Sequence, residues 1–208
     1  MDSLSKRSGR NPADAGLGAT IGGASRLLRA YALSISVLAG IATPCPSQAD
    51  TQADEYRVKA AFLYKFGSYI EWPGGSFARM DSPLAIGVMG ADTLADELMQ
   101  VVSSRDVKGR SVQVRKLRPG DSIAGLHVLF IGRADSGRLA GVLAAARGRA
   151  LLTVTESDNA LELGSTINFV VVDGKVRFDV APPPAESGSL KISARLLAVA
   201  RKVVSKPS

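Results

Sequence analysis

The sequence predicts an α/β fold in which helices cover both faces of a mostly parallel sheet, which ends in an antiparallel hairpin and a C-terminal helix. Short, almost wholly apolar runs alternate with helical segments along residues 84–154, as is typical of strands covered on both faces. Further on, Asp173-Gly174 separates two segments of alternating polarity, and this dipeptide favours a two-residue hairpin turn. We therefore expect residues 50–208 to form a single α/β domain.

Residues 1–49 are predicted to be a secretory signal peptide with a long n-region. Their apolar stretch, at 30–42, follows two arginines and is too short to span a bilayer comfortably. Ser47 and Ala49 are small residues at the two positions that signal peptidase inspects, so cleavage is expected after Ala49. A buried core helix is the alternative, but the two prolines that follow the stretch disfavour it. The pattern predicts export to the periplasm.

The elements of the exported segment follow from periodicity and from turn residues. Asp54 is expected to cap a helix that runs to about Ile70. Further helices are predicted at 92–102, with Asp92 as cap, at 136–147, and from about Ser189 to Val203. The strands are predicted at 84–89, 111–117, 126–131, 150–154, 166–172 and 175–180.

The hairpin turn also predicts the pairing of its two strands. Val171 should face Val176, Phe169 should face Phe178, and Ile167 should face Val180. After the hairpin, the three prolines at 182–184 are expected to form a stiff connector to the last helix.

The charge of the chain is a weak argument for nucleic-acid binding. The net charge is +7, but residues 1–49 hold five of the 26 basic and two of the 19 acidic side chains. The remaining 21 basic and 17 acidic side chains give +4. These basic residues are scattered, without interleaved aromatic residues, so no nucleic-acid partner is expected.

The sequence offers few parts for catalysis. His127 is the only histidine and lies in an apolar strand, while the only cysteine, Cys45, falls in the predicted signal peptide. The usual zinc sites therefore cannot be assembled, and neither a nucleophile elbow nor a complete phosphate-binding loop is present. We expect no catalytic residue, no metal and no cofactor, and hence not an enzyme. A hydrolase would need a polar constellation around His127 or Ser136.

Two places suggest a partner-binding surface. The first is Glu71, Trp72 and Pro73, where the only tryptophan lies beside a carboxylate at a helix end. Trp72 either fills the edge of the core or is an exposed anchor. The second place is the outer side of the hairpin, which carries Asn168 and Arg177.

On that side of the hairpin, Arg177 is expected to contact the neighbouring Asp179. Val170 and Val172 make this side more apolar than a solvated sheet face needs to be. Cover by the last helix or by a partner would explain them.

Six segments, in this order, resemble the YfiR family of periplasmic regulators. They are EYRVKAAFLYKF at 55–66, YIEWP at 69–73, VLFIG at 128–132, INF at 167–169, GKVRF at 174–178 and LKISARLL at 190–197. The resemblance covers residues 54–204. Two departures are that the disulfide-forming cysteines of the namesake have no counterpart, and that Ala181 stands where the family often has asparagine.

The resemblance implies a homodimeric periplasmic protein, not itself embedded in the membrane, that binds an inner-membrane signalling protein. This partner would be a diguanylate cyclase or a sensor kinase, and binding would restrain cyclic di-GMP synthesis. The alternative is a periplasmic small-molecule sensor. Its ligand would occupy the crevice at the carboxyl ends of the parallel strands, near Gly90, Gly132 and Thr155.

Overall fold

Helices and strands alternate through most of the chain, as the apolar runs predict. The computed structural model describes residues 48–205, so nearly all of the predicted signal peptide lies outside the described residues. The helices are α1 (Gln48–Tyr69), α2 (Asp92–Val102), α3 (Leu139–Ala146), α4 (Pro182–Ser187) and α5 (Ala194–Val199), with a 3₁₀ segment at Arg133–Arg138. The strands are β1 (Ile70–Glu71), β2 (Leu84–Met89), β3 (Asp106–Val107), β4 (Arg110–Leu117), β5 (Val128–Ile131), β6 (Leu152–Thr155), β7 (Ile167–Val172), β8 (Lys175–Val180), β9 (Lys191–Ile192) and β10 (Lys202–Val203).

Eight of these strands form one sheet in the order β10-β8-β7-β6-β5-β2-β4-β3. Its pairs are parallel except β7–β8 and β3–β4. The short strands β1 and β9 pair separately and antiparallel. The predicted fold class, a mostly parallel sheet with an antiparallel hairpin, is confirmed. Among residues 48–205, no helix is long and apolar enough to cross a membrane.

Alternate residues of the central strands enter two separate apolar cores. In β2, Ile86 and Val88 pack into the larger core, which includes residues of α1 and α2. Ala85 and Met89 belong to the smaller core, which includes residues of α3. Because side chains alternate along a strand, helices on both faces bury the whole strand. The prediction of helices on both faces is thereby confirmed.

The hairpin has the predicted register. Val171 pairs with Val176, Phe169 with Phe178, and Ile167 with Val180. Asp173 and Gly174 both have positive φ, at 50° and 68°, as the favoured two-residue hairpin turn requires.

One predicted helix start and one predicted cap are wrong. Helix α1 begins at Gln48, so Asp54 is not a cap but lies within the helix, where its carboxylate pairs with Arg57 at 3.3 Å. No glycine or proline interrupts residues 48–54, so nothing stops the helix from extending toward the N-terminus. In α2 the N-cap is Ala91, without a side-chain cap, and Asp92 is the first helical residue.

The predicted C-terminal helix forms, but it spans only Ala194–Val199, and short strands flank it where the helix was expected to continue. Ile192 pairs with Ile70, Ser193 caps the six-residue α5, and Lys202 pairs with Asp179. The apolar periodicity after Ser189 fits both one long helix and a shorter helix between two strands. Pairing with the distant strands β1 and β8 decides for the second arrangement. The three prolines are not a connector either, because they form the first turn of α4. Proline is tolerated there because the backbone N–H groups of the first helical turn have no partner within the helix.

The crevice at the carboxyl ends of the central strands is closed. A Cβ built on Gly132 would collide with the backbone carbonyl of Gly90, and the Gly132 amide donates to Met89 O at 2.8 Å. Thr155 is fully buried. The backbone therefore leaves no room for a ligand between Gly90 and Gly132, where part of the pocket was expected.

Replacing Gly132 with alanine should destabilise the protein by about 1–3 kcal/mol, since the Cβ meets rigid backbone. Gly141→Ala is the control, because nothing lies within 4 Å of a Cβ there and alanine favours the helix. Urea denaturation of both variants measures the difference. Equal unfolding free energies for the two variants would contradict the close approach of Gly132 to Gly90.

Candidate functional site

The two predicted groups of site residues lie at opposite ends of the sheet. Trp72 contacts the ring of His127, which directly precedes β5 and thus marks the amino ends of the parallel strands. Asn168 pairs with Thr155, the last residue of β6, at the carboxyl ends. The structure therefore does not bring Glu71, Trp72 and Pro73 together with Asn168 and Arg177.

At the amino ends, three rings and one guanidinium stack. Phe77 lies flat on His127, with ring centroids 4.1 Å apart, and Trp72 meets both rings edge-on at about 6 Å. The guanidinium of Arg110 lies 4.0 Å from the Phe77 centroid. Its Nη1 also donates to the carbonyls of residues 79, 80 and 82. Arg110 therefore holds the loop that carries Phe77 against β4.

Trp72 combines features of the two roles considered for it. Its side chain is half-buried and packs against the larger core, as an edge residue would. Trp72 also lines a pocket of about 250 Å³, together with Glu71, Phe77 and Lys108. Its buried Nε1 has no hydrogen-bond partner among the described residues. Glu71 is exposed, and Pro73 begins the turn that accepts the Ser76 amide.

His127 is held as a neutral ring. Its Nδ1 accepts from the Ala85 amide at 3.1 Å, so its Nε2–H donates to the Ser76 carbonyl at 3.0 Å. Burial lowers the pKa of His127 below its ordinary value; the bond to Ser76 opposes this and the charge of Arg110 adds to it. Since both nitrogens bond to the backbone, His127 is structural in this arrangement.

At the carboxyl ends, the base of the hairpin is tied to its neighbours by buried polar groups. Asn168 is 8% exposed, and its Oδ1 accepts from Thr155 Oγ1 at 2.8 Å. The predicted contact between Arg177 and Asp179 is wrong. Asp179 instead accepts from two nitrogens of the Arg201 guanidinium, from Nε to Oδ1 at 2.8 Å and from Nη2 to Oδ2. Arg201 reaches it because β10 pairs alongside β8.

The rest of that side is open, and we call it the outer hairpin face. It consists of Val170, Val172, Lys175 and Arg177, which pair across the two strands. Val172, Lys175 and Arg177 are exposed. No ion pair of either cation is found within residues 48–205. Cover by the last helix, one of the two explanations for the valines, does not occur, since Val172 stays exposed and α5 spans only Ala194–Val199.

Sequence reasoning missed a buried ion pair beside the hairpin. Lys59 is fully buried, and its ammonium contacts the carboxylates of Glu55 and Glu156. The backbone amide of Arg133 donates to Glu156 at 3.1 Å. A signal was available, because Lys59 lies four residues after Glu55 and four before the core residue Leu63, on the apolar side of the helix.

The titratable groups of the described residues offer little for metal binding. Within residues 48–205, no three His, Cys, Asp or Glu side chains gather closely enough to hold a metal ion. The pKa of the Tyr56 hydroxyl is raised by burial and by the nearby Glu156 carboxylate, which keeps it neutral. Ser136 lies in the 3₁₀ segment, so it is not beside His127 at the opposite ends of the strands.

Acidification should weaken the fold through His127. The unfolded chain binds a proton near pH 6.5, whereas the folded ring resists protonation until a lower pH. The free energy of unfolding should therefore decrease as the pH falls from about 7 through 6. His127→Asn should flatten this slope, because its Oδ1 can still accept from Ala85 but does not titrate. Urea denaturation at pH steps measures both proteins, and parallel slopes would exclude His127 as the source.

Comparison with known proteins identifies one family. The model of the YfiR/HmsC-like family matches residues 56–201. No curated protein matches the chain. The matched family is periplasmic, and it is regulatory rather than catalytic. The match includes α1 from Tyr56 onward, seven of the eight strands of the large sheet, and both predicted groups of site residues. The chain therefore belongs to the YfiR/HmsC-like family.

Proposed function

We propose that this protein is a periplasmic regulator that restrains an inner-membrane diguanylate cyclase, or a related sensor kinase, by direct contact. The family match over residues 56–201 is the observation that carries the proposal, since this family points to regulation of cyclic di-GMP signalling. The proposal includes a cleaved signal peptide at residues 1–49 and a homodimer. It assigns no catalytic residue, no metal and no cofactor.

The outer hairpin face is proposed as the main contact with the membrane partner. Two valines and two cations lie exposed or half-exposed on one side of a rigid hairpin. An apolar strip beside unpaired cations suits a partner surface that is apolar and acidic. Asn168 supports this contact from beneath, since it ties the base of β7 to β6.

Glu71, Trp72 and Pro73 are proposed as a second contact. Trp72 is half-buried, lines a pocket and has an unpaired Nε1, which are features of an aromatic anchor. This contact lies at the other end of the sheet from the outer hairpin face. The two contacts can therefore be tested separately.

Restraint would follow from selective binding. A protein that binds the inactive conformation of a membrane sensor more tightly than the active one shifts the population toward inactivity. A change from about 99% active to about 99% inactive needs about a 10⁴-fold preference for one conformation. The protein would need no catalysis for this.

Reversing the charge of Arg177 should abolish restraint. In a strain that lacks the gene, wild-type protein should lower cyclic di-GMP, whereas Arg177→Glu should not, because binding should weaken at least about tenfold. Arg115→Glu is the matched control, since Arg115 is also exposed on a strand of the same sheet. Cyclic di-GMP content and capture of a crosslinked inner-membrane signalling protein are measured together. Full restraint by Arg177→Glu would refute the role of the outer hairpin face.

Truncation of Trp72 should weaken association with the membrane partner. Removing an aromatic anchor typically costs about 2 kcal/mol or more, which is roughly thirtyfold in affinity. Trp72→Phe is the control, because it keeps an apolar ring but loses Nε1. Capture from native membranes is compared among variants whose circular dichroism shows that they are folded. Unchanged capture by a folded Trp72→Ala protein would remove Trp72 from the contact.

A further inference from the structure

A polar pocket of about 210 Å³ lies at the base of the hairpin, between the loop after β6 and the C-terminal strand β10. Asn168 and Asp179 line it from the sheet, and Glu162, Arg201 and Lys202 line it from the two sides. It is distinct from the closed crevice between Gly90 and Gly132. It is also smaller than the roughly 300 Å³ at which pockets for drug-sized ligands begin, so it suits a single small ring.

Asn168 has hydrogen-bonding capacity that the protein leaves unused. Asn168 is only 8% exposed, and its Oδ1 accepts a hydrogen bond from Thr155 Oγ1. No hydrogen bond of its Nδ2 is found within residues 48–205, and Nδ2 is not one of the fully buried atoms that lack a partner, so it faces the space of the pocket. Buried amides usually bond through both ends. The unused donors are therefore available to a molecule that occupies the pocket.

The charges of the lining favour an uncharged ligand. Two cations, Arg201 and Lys202, are matched by two carboxylates, Asp179 and Glu162, so the formal charge of the lining is zero. The guanidinium of Arg201 is already engaged by Asp179. An anionic ligand would have to displace the Asp179 carboxylate from Arg201. A cationic ligand would have to displace the Arg201 guanidinium from Asp179.

Hydroxyl groups match the lining better than ions do. A hydroxyl both donates and accepts, and the lining offers donors on Asn168 and Lys202 and acceptors on Glu162 and Asp179. The apolar side chains of Leu161 and Val204 can cover the C–H groups of a ring. We propose that this pocket binds a small uncharged polyhydroxylated molecule of monosaccharide size. This binding site goes beyond the proposed function and does not depend on it.

The test uses the purified protein and five probes. Glucose, galactose and mannose are the uncharged probes; glucuronate and glucosamine are the charged ones. Saturation-transfer NMR and titration calorimetry measure their binding, which is expected in the millimolar range for ligands with so few atoms. At least one uncharged sugar should bind more tightly than its charged analogue. Absence of binding by all three sugars, or preference for a charged analogue, would overturn the assignment.

Two matched variants place the site. Leu161→Trp should fill the pocket and abolish sugar binding, whereas Leu163→Trp, two residues away, should not, since Leu163 lines a different pocket. Asn168→Ala should lower affinity at least tenfold, and if it does not fold, the exposed Lys202→Ala serves instead. Equal loss or equal retention in the two tryptophan variants would overturn the location.

Arg177→Glu should leave sugar binding unchanged, so failure of the partner contact and failure of this site are separable.

Discussion

The position of α1 depends on one buried ion pair, that of Lys59 with Glu156. Lys59 is fully buried, so its charge is tolerable only while carboxylates surround it. Removing one partner from such a pair costs about 3–5 kcal/mol, although the intact pair adds little net stability. Glu156 in turn binds the Arg133 amide, and its carbonyl accepts from the Arg133 side chain. The pair therefore joins α1 to the carboxyl ends of two parallel strands.

The hairpin owes its orientation to the helix that this ion pair holds. Phe62 and Phe66 of α1 pack against Phe169 and Phe178, with ring centroids 5.1 to 6.0 Å apart. The Lys59 ammonium also lies 5.9 Å from the Phe169 ring. Since one side of the hairpin is occupied by α1, the opposite side is the one that can meet another molecule. A helix placed differently would leave the aromatic side open instead.

Local patterns predicted the features that depend on few residues. The hairpin register followed from Asp173-Gly174 and the alternation around it, because a two-residue turn leaves no freedom in pairing. The partner of Asp179 could not be found this way, since Arg201 lies 22 residues away and reaches it only after β10 has paired. The same pairing ends the last helix earlier than expected. Of the candidate site, position and exposure of Arg177 were predictable, whereas the pocket beside it depends on three distant segments.

Four buried titratable groups are bonded within the protein. Both nitrogens of His127 bond to the backbone, Lys59 and Glu156 bond to each other, and Asp179 bonds to Arg201. A catalytic acid or base must reach a proton of its substrate, whereas these groups face partners within the protein. The proposed restraint of a membrane partner acts through surfaces instead. Asn168 and Asp179 of the polar pocket lie on the same side of the hairpin as Arg177, so a bound molecule and a bound partner would be neighbours, and whatever one does to the affinity of the other must be reciprocal.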